Sequence, residues 1–297
     1  MISERLHLPA NAVGLVPHRR AMLLIGELRE STPENAAGVS VIAANNPFLD
    51  SKGKLDGVCF VECLAQLTAA SEGFNAKTTG DGIVRTGYLV GVNDFSIKGR
   101  AVIGDTLQLK MRKLLEMNNV VVAEGDVYVG GKCLASGKLK FYIAESAAIP
   151  AATASVEKKL AGSAAHPERG VMFGHILDNL KIAGVSVEAG TATGEFCFQK
   201  DFPGFDGHFP GNPILPGIVM VAMSKAVSEA VCGAPLLLSG LAFAKFTKLV
   251  LPGDAIKVTV SVKEAGGAYA VRAQLSSEGK TAATFDFSAI KESADNE

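Results

Sequence analysis

The sequence predicts an α+β protein made of two copies of one module, each an antiparallel sheet wrapped around a single helix. Three observations lead there. The chain has 297 residues, about two domains' worth at roughly 100 to 200 residues per domain. Sequence anchors recur in the same order in the two halves: Gly57-Val58-Cys59-Phe60-Val61 returns as Gly217-Ile218-Val219-Met220-Val221, Ile97 to Asp105 as Phe246 to Asp254, and Gly131-Lys132 as Gly279-Lys280. Such a repeat decides the architecture and is read before local detail. Finally, each half carries one apolar run of helical period among several runs of period two.

The elements follow in order. In the first module, residues 1–146, a strand region (Leu23 to Ala43) leads through a polar loop to a helix from Gly57 to about Ala70. Alternating strands follow, such as Thr106 to Arg112, where period two marks half-buried antiparallel strands. The first copy also has extra residues after its helix, placed in the Gly/Thr-rich stretch from Gly73 to Gly87. Ala, Ser, Thr and Pro without apolar period, from Glu145 to Ser155, read as a linker, residues 147–169. The second module, 170–297, repeats the plan: strands from Ile182 to Phe198, a helix from Gly217 to about Cys232, and strands such as Ile256 to Val262. One buried helix among four to six strands is the outline of a hot-dog fold. Two of them predict a double hot-dog, two antiparallel sheets each around its own helix, paired as a dimer within one chain.

Composition narrows the function. Hydrophobic residues are 48% and charged residues 20%, with 29 Lys+Arg against 30 Asp+Glu, as in a soluble globular protein. A net charge of -1 offers no general attraction to phosphate backbones, which argues against a nucleic-acid partner. No apolar run approaches the roughly 18 residues of a membrane helix, and the N-terminus leads into no signal-like apolar core, so a cytoplasmic protein without a membrane partner is expected. The five cysteines form no metal-ligand pattern; Cys59 and Cys63 read as small buried hydrophobes, and no metal is expected.

The segment Phe202 to Gly217 is the one most suggestive of chemistry. Its density of Pro and Gly fixes a loop backbone, and Pro216-Gly217 delivers it to a helix start. A single histidine, His208, is thereby held near the exposed N–H groups of a helix N-terminus, which stabilise developing negative charge. On physical grounds alone, a purely structural loop is the somewhat stronger reading.

Gly207-His-Phe-Pro-Gly-Asn-Pro-Ile-Leu-Pro-Gly217 resembles the G-H-F-P-G-x-P-x-x-P-G signature of the FabA/FabZ-type 3-hydroxyacyl-acyl-carrier-protein dehydratases. Pro17-His18-Arg19-Arg20-Ala21-Met22-Leu23-Leu24 is similar to the family's opening P-H-R-x-x-[FM]-L-L, and Phe246 to Asp254 to its F-x-[RK]-x-V-x-P-G-D strand. The family's acid on the helix after the histidine is missing here, because that position is Ala222. The first helix departs the other way: Gly57-Val-Cys-Phe-Val-Glu62-Cys-Leu-Ala-Gln66 resembles the family's P-G-V-L-I-x-E-A-x-A-Q with the acid kept, while the loop Pro47 to Asp56 before it lacks the histidine. In that family each site takes its histidine from one subunit and its carboxylate from the other. The resemblance therefore implies one composite site, His208 facing Glu62, and an opposite interface with neither. Polyketide-type dehydratase domains share this plan with the histidine half first.

Apolar neighbours around Glu62 (Val58, Phe60, Val61, Cys63, Leu64) predict a buried carboxyl with a raised pKa, as a general acid requires; a glutamate at a solvated helix edge is the alternative. Gln66, one turn on, would orient Glu62 or a water, with a plain polar surface glutamine the alternative. The implied activity is a lyase of lipid or fatty-acid metabolism dehydrating 3-hydroxyacyl thioesters to trans-2-enoyl products. His208 would take the α-proton, and Glu62 would protonate the leaving hydroxyl. The Gly217 N–H, with Gly57 as second choice, would hold the thioester oxygen, and the Ile214 carbonyl would fix the histidine tautomer. No cofactor is implied. Phe60, Phe209, Met220 and Met223 are candidate tunnel walls, with core packing the stronger reading for Phe60, Met220 and Met223. Arg19, Arg20, Lys98, Arg100, Lys245 and Lys248 are candidates for docking an acyl-carrier protein or a coenzyme A phosphate, with a solvated charged face an equal reading for Lys98, Arg100, Lys245 and Lys248, and further homo-oligomerisation is open. His18 reads as structural, and His7, His166 and His175 receive no role. A hot-dog acyl thioesterase and a non-catalytic acyl- or carrier-binding module are the other readings.

Overall fold

Period-two runs become strands throughout the residues that the computed structural model describes, 7–79, 85–145 and 161–292. The first half holds β1 (Ala10–Asn11), β2 (Glu27–Ser31), β3 (Asn35–Val41), β4 (Arg85–Ile97), β5 (Thr106–Met117), β6 (Val120–Val129) and β7 (Lys132–Glu145). The second holds β8 (Lys181–Ser186), β9 (Thr191–Phe196), β10 (Leu236–Phe246), β11 (Ile256–Ala265), β12 (Ala268–Ser277) and β13 (Lys280–Lys291). In β11 the alternation is complete: Ile256, Val258, Val260 and Val262 are buried, and the residues between them face solvent.

Each half wraps its sheet around one helix, α1 (Cys59–Thr79) in the first and, in the second, a helix at Gly217–Cys232. The latter is buried from Ile218 through Ser228, so its whole circumference is in the core rather than one stripe of it. Its last turn stops at Gly233, in the left-handed conformation that glycine adopts without steric cost. A short helix absent from the sequence expectation, α2 (Val171–Asp178), precedes β8; the helix at 217–232 is therefore α3.

Two expectations need amendment. The first helix was expected to stop near Ala70 and instead runs to Thr79. Phe74 packs against the core, and the Thr78 and Thr79 hydroxyls donate to carbonyls one turn back, which carries the helix through the Gly/Thr-rich stretch. Gly73 fits within it because a Cβ there would overlap the Leu15 carbonyl. Residues 80–84 of that stretch, and the expected linker as far as residue 160, lie outside the described residues; beyond it Pro167–Arg169 forms a 3-10 turn.

The two expected sheets are one. The strand order is β1-β2-β3-β5-β6-β7-β4-β10-β13-β12-β11-β9-β8, with every described neighbour pair antiparallel. β4 meets β10 from Gly91↔Lys245 to Ser96↔Gly240. Each module alone would leave one of these long strands as an open edge with unpaired backbone groups, and joining them removes both edges. The same order read outward from this seam describes each half, so the pseudo-twofold axis passes between β4 and β10. α1 and α3 lie in contact beneath the seam.

Candidate active site

The His208 loop is held by its backbone before any side chain is considered. Pro203–Phe205 forms a 3-10 turn, and Gly207 follows with φ +98. The Arg19 N–H donates to the Gly207 carbonyl at 3.0 Å, and a Cβ on residue 207 would overlap the Arg19 backbone, so glycine is required there on both counts. The Ile214 N–H donates to the His208 carbonyl at 2.8 Å, closing the loop. The His208 Nδ1 lies 2.8 Å from the Ile214 carbonyl. A carbonyl only accepts, so Nδ1 carries the proton and Nε2 of the neutral ring is left as a base. Burial, and then the nearby His18, hold the His208 pKa down at about 4, against the opposing pull of Glu62.

Glu62 reaches the same place from α1. It is 5% exposed, and its Oε1 accepts from Gln66 Nε2 at 2.8 Å and lies 3.3 Å from His18 Nε2. Gln66 is fully buried with its amide spent: Nε2 also donates to the Met22 carbonyl at 2.7 Å, and Oε1 accepts from the Leu24 N–H at 2.8 Å. It thus ties α1 to the chain at Met22 to Leu24 and orients the carboxylate. The raised pKa expected for Glu62 is overturned. Burial does push it up, but the hydrogen bond and charge of His18, the charge of His208 and the Gln66 amide outweigh that and bring it to about 2. Glu62 is a carboxylate at neutral pH.

His18 is the residue that sequence reasoning missed. Expected to be structural, it is 7% exposed and sits between the other two groups. Its ring centroid is 5.3 Å from that of His208 and 4.9 Å from Phe209, and its Nδ1 is buried without a hydrogen-bond partner. Donor atoms of His18, Glu62 and His208 all lie within 4.8 Å of one another. The Pro17-His18-Arg19 segment did carry a signal, its likeness to the family's opening motif, but no spacing connected it to the distant His208 loop.

These groups line a cavity of about 310 Å³ between the modules. Phe209 and Met220, predicted as tunnel walls, line it, as do Ile214 and Gly217. The N–H of Gly217, first residue of α3, belongs to the donors that a helix start leaves without an intrahelical acceptor. A Cβ on residue 217 would lie 2.8 Å from the Phe246 ring, so a larger residue there would require the ring to shift. Ala65 and Ala69 on α1 open the far wall, where a smaller cavity of about 40 Å³ continues past His18 to Leu15 and Ile143. Phe60 and Met223 are not in this wall: both are fully buried in the core. Gly57 is also absent from it and packs on Ile97.

The six basic residues do not form one patch. Lys248 lines the cavity and pairs with Glu278 at 2.7 Å, and Arg20 pairs with Asp206 at 2.8 Å. Arg19 donates to the Val16 and His18 carbonyls, while Lys98 and Lys245 are exposed. Arg100 lies elsewhere, at a second cavity of about 310 Å³ on the opposite side of the pseudo-twofold. There Ala222 stands where Glu62 stands in the first, and Lys225 pairs with Asp56 at 2.6 Å while its Nζ lies 4.3 Å from the centre of the Phe173 ring. Among the described residues no histidine lines this cavity, and its carboxylates Asp50 and Glu292 face Arg100.

Residues 10–152 match the model of the ApeP-like family, described as ApeP dehydratase, and residues 185–285 that of the ApeI-like family, described as ApeI dehydratase. A 3-hydroxyacyl-[acyl-carrier-protein] dehydratase FabZ from Cereibacter sphaeroides is 37% identical over 110 residues, covering 34% of this chain and 71% of the relative. Among solved structures, the dehydratase domain of RzxB from Pseudomonas fluorescens superposes with a TM-score of 0.54 at 13% identity, over 91% of this chain and 99% of its own. An acyl-ACP thioesterase from Bacteroides thetaiotaomicron gives 0.51 at 10% identity, over 86% and 97%. What these two structures share with the chain is the fold.

Proposed function

Given that the chain belongs to the FabZ-type 3-hydroxyacyl-[acyl-carrier-protein] dehydratase family, we propose that it eliminates water from 3-hydroxyacyl thioesters carried on acyl-carrier protein, giving trans-2-enoyl products, at one composite site per chain. The observation that carries this is the meeting of His208, from the second module, with Glu62, from the first, in a single cavity. The opposite cavity has Ala222 and an internal ion pair in their place, which supports a single site.

The reaction follows from the placement. Nε2 of His208 takes the α-proton, and the negative charge that spreads to the thioester oxygen falls to the Gly217 N–H at the α3 terminus. Glu62 occupies the side of the departing 3-hydroxyl, with its carboxylate locked by Gln66. The cavity's Ala65–Ala69 wall accepts the acyl chain, and Lys248 at its edge suits the phosphate of a carrier arm. Such a carrier chemistry would suit an enzyme of lipid synthesis; no described helix is long and apolar enough to cross a membrane.

The test is turnover of a 3-hydroxyacyl thioester followed by enoyl absorbance. His208→Ala and Glu62→Gln should each lower kcat by about a hundredfold or more. Near-normal turnover in either variant, or release of free thiol from thioesters lacking a 3-hydroxyl, would overturn the reading and favour hydrolysis.

A further inference from the structure

A leaving hydroxyl needs a proton, and the structure leaves its usual source empty-handed. Glu62 accepts from Gln66 and faces His18, and both interactions favour the carboxylate that has no proton to give. His208 has its Nδ1–H committed to Ile214 and must keep Nε2 bare to act as base. The remaining titratable groups in the wall are Tyr88, Tyr142, Lys248 and His18, with Glu72 in the smaller cavity beyond. Of these, His18 alone belongs to the cluster with Glu62 and His208, and Lys248 is turned to Glu278.

We infer that His18 is a third catalytic residue, the acid that protonates the departing 3-hydroxyl, with the Glu62 carboxylate holding its imidazolium form in place. The inference rests on the dehydratase reading above and assigns to it a residue and a proton. Geometry supports it at Nε2 and at the ring. Nε2 sits 3.3 Å from Glu62 Oε1, near enough for the carboxylate to hold its proton and wide enough for the oxygen to be exchanged for another acceptor. The ring is braced at 4.9 Å by Phe209, itself stacked on His208 at 4.4 Å, so acid and base are positioned by one aromatic side chain.

The step balances. The Cα–H bond breaks and its proton goes to Nε2 of His208; the electron pair forms the new carbon–carbon double bond. The C3–O bond breaks, and the oxygen takes the Nε2 proton of His18 and leaves as water. The enzyme is left with a protonated His208 and a neutral His18. A proton returning from the first to the second, whose centroids are 5.3 Å apart, restores the starting state with no external acid or base consumed.

A leaving group that needs no proton separates this role from a structural one. His18→Gln, which keeps an amide donor toward Glu62 but has no proton to release, should dehydrate a 3-hydroxyacyl N-acetylcysteamine thioester about a hundredfold or more slower than the parent enzyme. On the matching 3-fluoroacyl thioester, which expels fluoride, the same variant should stay within about threefold, whereas His208→Ala should lose both reactions. If both substrates slow together in His18→Gln, or neither does, His18 is not the acid. Should the glutamine variant fail to fold by circular dichroism, His18→Asn, whose amide falls at the Nδ1 position, repeats the comparison. Failure of the parent enzyme to eliminate from either substrate would instead sink the dehydratase reading itself.

Discussion

At the scale of single residues, the site is a set of mutually adjusted charges. His208 has its pKa depressed to about 4 and Glu62 to about 2, so at neutral pH the base is bare and the carboxylate charged. A histidine with the ordinary pKa near 6.5 loses its basic form as pH falls through that value. Here the loss is displaced downward, so the acid limb of kcat/KM is expected near pH 4, and a limb at pH 6 to 7 would contradict the burial that causes the shift. His208 and Glu62 were legible in the sequence because each lies in a compact motif beside a helix start. The protonation state of Glu62 was not. Its apolar sequence neighbours describe the helix around it, but the groups that hold it ionised, His18 and His208, come from a preceding turn and from the other module. A one-dimensional neighbourhood shows burial and misses partners.

At the scale of elements, α1 carries two functions on adjacent faces. Glu62 and Gln66 supply polar contacts, while Ala65 and Ala69, a turn apart, leave the space between helix and sheet into which the cavity extends. Filling that space should discriminate by substrate length: Ala69→Phe is expected to lower kcat/KM for long acyl thioesters at least about tenfold while leaving short ones within about threefold, read from a chain-length series. An equal loss at every length would mean the chain runs elsewhere. The central helices were visible in sequence: their starts were expected at Gly57 and Gly217 and lie at Cys59 and Gly217, and the end of α3, expected near Cys232, lies there. The end of α1 was not, because the turns after Ala70 are supported by Phe74 packing and by threonine side chains rather than by apolar period. α2 was missed for a related reason: eight residues are too few to establish a period.

At the scale of the whole molecule, the repeat was readable because the anchors recur, whereas the fusion of two sheets into one was not, since edge pairing between β4 and β10 leaves no local pattern. The two cavities astride the seam have diverged in opposite directions. In the second, Lys225 is 7% exposed at its side chain and Asp56 21%, and the pair bridges α3 to the start of α1. Removing one partner from a fully buried pair costs about 3–5 kcal/mol. With Asp56 part-exposed, Lys225→Met should cost about 2–3 kcal/mol in urea unfolding and leave turnover within about twofold. A large loss of activity at unchanged stability would assign this cavity a part in the reaction.

The seam between β4 and β10 also changes how the enzyme responds to dilution. In a non-covalent dimer, a site shared between subunits exists only while protein concentration exceeds the dissociation constant, so specific activity falls as the sample is thinned. Here the histidine and the carboxylate belong to one polypeptide and one hydrogen-bonded ladder, and their encounter is unimolecular. Turnover per chain should therefore stay constant from micromolar to picomolar enzyme.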